Sequence, residues 1–176
     1  MKYSVIDNQS KSLLRQRYID RFIDTTLDQY EDHITTLKQF DDGQCYIGYL
    51  WDFIKGNDKY QYERTMEQAL LYLSEKKLVY VMWDIFTKEH VRVNRILSDN
   101  YPKDTIIAVD STELCHTITA EWDEWEENGQ YLPSDIYVFD DSMQWSVIFT
   151  HEGWDSWTKP ELHEDEYIRI CYIISE

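Results

Sequence analysis

Between Ser10 and about Leu37 the apolar residues fall at helical spacing, with Leu14, Tyr18 and Phe22 on one line and Ile19, Ile23, Leu27, Tyr30, Ile34 and Leu37 beside it. Arg15, Arg17, Asp20, Asp24 and Asp28 take the polar side. The pattern predicts a long amphipathic helix, capped by Asn8 or Ser10 and broken near Thr35-Thr36, with a turn at Asp41-Asp42-Gly43. The run Cys45–Ile54 is apolar almost all round, and its length fits either a buried helix or a strand. A cap at Asp41 or Asp42 and a stop at Gly56 favour the helix. Tyr62, Met66, Ala69, Leu70 and Leu73 define a further amphipathic helix over about 60–77, with Lys76 and Lys77 at the negative end of its dipole.

Beyond it the preference shifts to strands. Leu78–Trp83 is β-branched and aromatic, and Thr105–Val109 reads as a buried strand, whereas residues 87–98 fit both an alternating strand and a short helix. Asp110-Ser-Thr-Glu113 has the spacing of a capping box and opens a helix over about 112–127 that ends near Asn128-Gly129. Ile136–Phe139 and Gln144–Phe149 flank Asp140-Asp141-Ser142 as a hairpin, and Tyr167–Ile174 is a third strand with Ile168, Ile170 and Tyr172 on one face. An irregular stretch from His151 to Glu166 separates them, long for a compact domain and of the kind that often carries function. Helices and strands run in blocks without repeats or Pro/Gly-rich linkers. The expectation is one α+β domain over residues 1–176, with N-terminal helices packed on a mostly antiparallel sheet of about five strands.

Composition narrows the partner class. The 176 residues carry a net charge of −17, and 43 % hydrophobic with 15 % aromatic residues argues against intrinsic disorder. Residues 1–100 hold 14 Lys/Arg against 16 Asp/Glu, while residues 101–176 hold only Lys103, Lys159 and Arg169 against 18 acids. That later part also contains five of the seven Trp. Such a charge disfavours nucleic acid and anionic membranes as partners. No apolar run nears the roughly 18 residues of a membrane span, and Met1–Asp7 lacks the apolar core of a signal peptide. Three widely spaced Cys fit reduced thiols, so a cytoplasmic location is expected.

No catalytic motif emerges. Cys115-His116 is the one adjacent thiol–imidazole pair, but consecutive side chains diverge on a helix, and buried structural thiols account better for Cys45, Cys115 and Cys171. The five His show no ligand spacing; His151-Glu152 and His163-Glu164 share the long loop, yet nothing enforces coordination. Five Gly with no Gly-rich loop disfavour phosphate binding, and no cofactor is expected.

Two features suggest binding. In the helix after Asp110, Leu114, Ile118, Trp122 and Trp125 face the core, leaving Glu121, Asp123, Glu124, Glu126 and Glu127 crowded opposite without a compensating Lys. In the long loop, Trp154, Asp155 and Trp157 stand among Glu161, Glu164, Asp165 and Glu166, where the rings serve either as anchors for a partner or as a cap on the sheet edge. The segment Leu132–Glu152 resembles a strand–turn–strand of bacterial families that include the immunity proteins of polymorphic toxin systems. That resemblance implies toxin binding as a class and transfers no site residues. The expectation is a non-catalytic inhibitor, monomer or dimer, that binds a basic protein such as a nuclease-like toxin. Its contact residues would be Glu121, Glu124, Glu126, Glu127, Trp154, Asp155, Trp157, Glu164 and Asp165. The alternative is a small carboxylate-based hydrolase whose acidic cleft takes a cationic or sugar substrate, with His151 as a further candidate beside the carboxylates.

Overall fold

The computed structural model describes residues 1–27, 30, 38–39, 45–46, 49–56, 58–83, 106–123, 132 and 135–175; for 38–39, 45–46 and 121–123 it describes the backbone. Seven strands form one antiparallel sheet: β1 (Tyr3–Val5), β4 (Glu63–Thr65), β5 (Leu78–Trp83), β6 (Ile106–Asp110), β7 (Ile136–Phe139), β8 (Trp145–Trp154) and β9 (Ile168–Ser175). Their order is β1-β6-β5-β7-β8-β9-β4, and β2 (Lys38–Gln39) pairs separately with β3 (Cys45–Tyr46). The α+β class is as expected. The strand count is not: among the described residues the sheet has seven strands, because both of its edges are three-residue strands, too short to show alternation.

The helices do not form one N-terminal layer either. Helix α1 (Asn8–Phe22) lies on one face of the sheet, while α2 (Met66–Ser74) and α3 (Ser111–Asp123) lie on the other. Val79, Val81 and Trp83 of β5 point towards α2 and α3, and Tyr80 and Met82 point towards α1. A sheet buried on both faces explains why β5, β7 and the first half of β8 read as continuous apolar runs rather than alternating ones.

Three predicted helices resolve differently, each for a local reason. Asp7, rather than Asn8 or Ser10, caps α1, its carboxylate accepting from the Gln9 and Ser10 backbone N–H groups at 3.0 Å. The helix stops at Phe22 because Ile23 turns extended and bridges Ile54. Asp24 then accepts from the Thr26 N–H and hydroxyl, offering the backbone a turn in place of a further helical one. The 45–54 run is no single helix: Cys45–Tyr46 is strand, and Leu50–Phe53 is a 3₁₀ turn that buries Leu50, Trp51 and Phe53. The 60–77 helix is preceded by a 3₁₀ turn (Lys59–Tyr62) and by β4, because Thr65 and Gln68 form a reciprocal capping box that starts α2 at Met66. Residues 87–98 lie outside the described residues.

Two other expectations hold, while the end of the helix near Asn128-Gly129 lies outside the described residues. Asp110 accepts from the backbone N–H of Thr112 at 2.9 Å and starts α3, and Leu114 and Ile118 are buried against the sheet. The β7–β8 hairpin forms around Asp140, whose carboxylate takes the Ser142 N–H at 2.9 Å and the Trp145 indole N–H at 2.8 Å. Arg17 and Arg21 of α1 donate to the carbonyls of Asp141 and Met143, which ties this turn to the helix.

Candidate functional site

Strand β8 outruns β7: its first half pairs with β7, and its far end continues alone beside β9 to Trp154. A register irregularity between Phe149 and Gly153 marks the change. There Asp135, the residue before β7, fills the place of a neighbouring strand. Asp135 is only 2 % exposed, yet its Oδ1 accepts from the Trp51 indole N–H at 3.0 Å and the His151 backbone N–H at 3.1 Å. The His151 Nδ1 lies 3.0 and 3.1 Å from its two oxygens. One buried carboxylate thus joins the 3₁₀ turn, the approach to β7 and the end of β8. The Asp135 hydrogen bond raises His151 above its ordinary 6.5, opposed by partial burial and assisted by the charges of Asp135, Glu152 and Asp52. Tyr49 and Trp51 flank the imidazole, with ring centroids 4.9 and 5.9 Å away.

The 155–166 segment leaves this platform through a narrow neck. Tyr167 donates its hydroxyl to the His151 carbonyl at 2.6 Å and lays its ring over Gly153, where a Cβ would stand 2.3 Å from the ring. Glycine is required here by close approach. Gly153→Ala is expected to push the Tyr167 ring aside and cost about 1–3 kcal/mol. Tyr167→Phe, which loses one hydrogen bond, should cost about 1 kcal/mol; urea unfolding of the two variants compares them.

Past the neck the chain folds into successive turns. The Asp155 carboxylate accepts from the Trp157 and Thr158 N–H groups at 3.0 and 2.9 Å, and the Asp155 N–H donates to the Thr158 hydroxyl at 2.9 Å. The bond from the Thr158 N–H is the main reason that the Asp155 carboxyl sits below its usual range. This turn holds Trp157 outward, 93 % exposed. Trp154 has the opposite role: it is half-buried in β8, packs towards the α1-side core and carries the Lys159 ammonium 3.7 Å from its ring centroid. Glu161, Glu164, Asp165 and Glu166 are exposed on the following turns.

Of the expected contact residues, Asp155, Trp157, Glu164 and Asp165 therefore share the 155–166 segment, whereas Trp154 ends β8: the irregular stretch begins at Asp155 rather than at His151, because residues 151–154 continue the strand beside β9. Glu121 belongs to the last turn of α3, of which only the backbone is described, and Glu124, Glu126 and Glu127 lie outside the described residues. Sequence reasoning missed the Asp135–His151 pairing. The partners are 16 residues apart, and the Ile136–Phe149 register that brings them together carries no motif.

Chemically, a His whose Nδ1 is held by a buried carboxylate has the orientation of a general base. Among the described residues, no Ser, Thr or Cys hydroxyl or thiol hydrogen-bonds to it. Glu63 of β4 faces Tyr172 across the register with β9, and burial pushes its carboxyl up despite the opposing Lys159 and Lys59 charges. No group of three or more His, Cys, Asp or Glu among the described residues is placed to hold a metal ion. No described helix is long and apolar enough to cross a membrane. Comparison with protein-family models, curated proteins and solved structures returns no match.

Proposed function

We propose that the chain is a non-catalytic intracellular binding protein of inhibitor or immunity type, which engages a basic protein partner such as a nuclease-like toxin. The single observation that carries this reading is Trp157: a large apolar ring, 93 % exposed, held outward by the Asp155 turn within an acidic segment. An exposed indole has hydrophobic surface to bury, and clustered carboxylates speed and orient encounter with a cationic surface. Enzymes that act on nucleic acid carry such cationic surfaces because they bind phosphate.

Trp157→Ala is expected to weaken the complex by about 2 kcal/mol, roughly 30-fold, with no loss of folding stability. Binding should also weaken steeply with salt. Capture of a basic partner from the host, followed by calorimetric titration at low and high salt, checks both. Unchanged affinity in the variant, or salt-independent binding, removes the reading.

A second reading, a small hydrolase with an acidic cleft for a cationic or sugar substrate, draws support from the Asp135-held His151 and from Glu63, the carboxyl that burial raises. Hydrolysis of neutral or cationic chromogenic glycosides that disappears in His151→Gln favours it; turnover no faster than buffer removes it.

A further inference from the structure

We propose that Asp135 and His151 form a proton-operated clasp at the neck of the 155–166 segment, so that protonation of His151 sets how firmly the Trp157 turn is held. The inference goes beyond the binding reading and does not depend on it, since every readout uses the chain alone.

The clasp rests on geometry. Asp135 is buried and cannot draw on bulk water, so its charge is balanced only by what touches it: the Trp51 indole N–H, the His151 backbone N–H and the His151 imidazole. Two of these donors are neutral under all conditions. The third changes charge near physiological pH. The groups facing His151 are Asp135 before β7, Glu152 beside it on β8, Asp52 and Trp51 on the 3₁₀ turn, and Tyr49 just before that turn. Asp52 is itself paired with Lys59 at 3.2 Å. The charged neighbours of the imidazole are thus predominantly acidic, and they favour the imidazolium. When His151 loses its proton, the Nδ1–H bond to Asp135 can persist, but the buried carboxylate loses the cation that touches it among the described residues.

The neck transmits the change. His151 is fixed on both sides of its backbone, its N–H by Asp135 and its carbonyl by the Tyr167 hydroxyl, and Gly153 lies under the Tyr167 ring. Two residues on, the Asp155 turn begins. Loosening at His151 therefore reaches the Trp157 and Thr158 amides through a short, packed connection. The direction follows from linkage: a His raised in the folded state contributes stability that is fully present below about pH 6.5 and is lost as pH rises through the folded-state value.

The test is an NMR titration of His151, with melting temperatures and amide exchange of the wild type and His151→Gln across the same pH range. We expect His151 to titrate above 6.5. The wild type should melt about 2–4 °C above His151→Gln at low pH, a difference that closes on the alkaline side of the titration. Protection of the Thr158 amide, corrected for base-catalysed exchange, should fall through the same range while that of Tyr172 in β9 does not. Asp135→Asn should return His151 towards its ordinary value. A His151 that titrates at or below 6.5, a pH-independent difference in melting, or Thr158 protection that ignores the titration overturns the proposal. If His151→Gln does not fold, the wild-type titration and exchange decide alone.

Discussion

Asp135→Ala is expected to cost about 3–5 kcal/mol, because it leaves the Trp51 indole, the His151 amide and the His151 imidazole without their shared acceptor. Two of those donors are drawn into the interior by the fold itself, one on the 3₁₀ turn and one at the end of β8. Removing the acceptor does not return them to water. Asp135→Asn keeps an oxygen in place and should cost less, about 1–2 kcal/mol. Equilibrium urea unfolding of both variants near neutral pH measures the difference. A loss under 1 kcal/mol for the alanine variant would mean that water replaces the carboxylate, and the buried junction would then be less dry than its 2 % exposure implies.

Trp51→Ala should be of similar size, about 3–5 kcal/mol, as for other large-to-small changes in a packed core. Its ring stacks 5.4 Å from Tyr49 and 6.3 Å from Tyr172, and the Lys59 ammonium lies 4.9 Å from its centroid. Trp51→Phe retains most of the apolar area and loses the hydrogen bond to Asp135, so a smaller loss is expected. Because Trp51 and Asp135 touch, the double alanine variant should lose less than the two single losses added together. Strict additivity, measured by the same unfolding experiment, would show that the indole–carboxylate bond contributes nothing of its own.

What the sequence made legible was the middle of the sheet. β5, the β7–β8 hairpin and β9 were readable because each has enough apolar or β-branched residues to exclude other states, and α3 because Asp110 marks its start. The errors lie where a tertiary partner overrode a local pattern. Ile23 has a helical position in the periodic stripe, yet its bridge to Ile54 ends the helix one residue earlier. Tyr62 belongs to the stripe of α2 by spacing, but β4 intervenes because Glu63, Arg64 and Thr65 pair with Tyr172, Cys171 and Ile170. Of the candidate site, the acidic Trp loop was visible as composition alone. Its neck was not, because a contact among Asp135, His151, Gly153 and Tyr167 depends on a sheet register that no short stretch of sequence encodes.

The sheet order has a bearing on how this chain survives at high concentration. Ile136–Phe139 and the start of β8 are the kind of segment that assembles into cross-β fibres: strongly apolar, β-prone and without proline. β7 occupies the centre of the sheet, with three strands on either side, and the two outermost positions go to β1 and β4. Each of those is three residues long, and β4 carries Glu63 and Arg64. A short or charged border gives an incoming strand little ladder to extend. The segments most capable of templating an aggregate are thereby kept in the interior of the sheet, away from the edges at which templating begins.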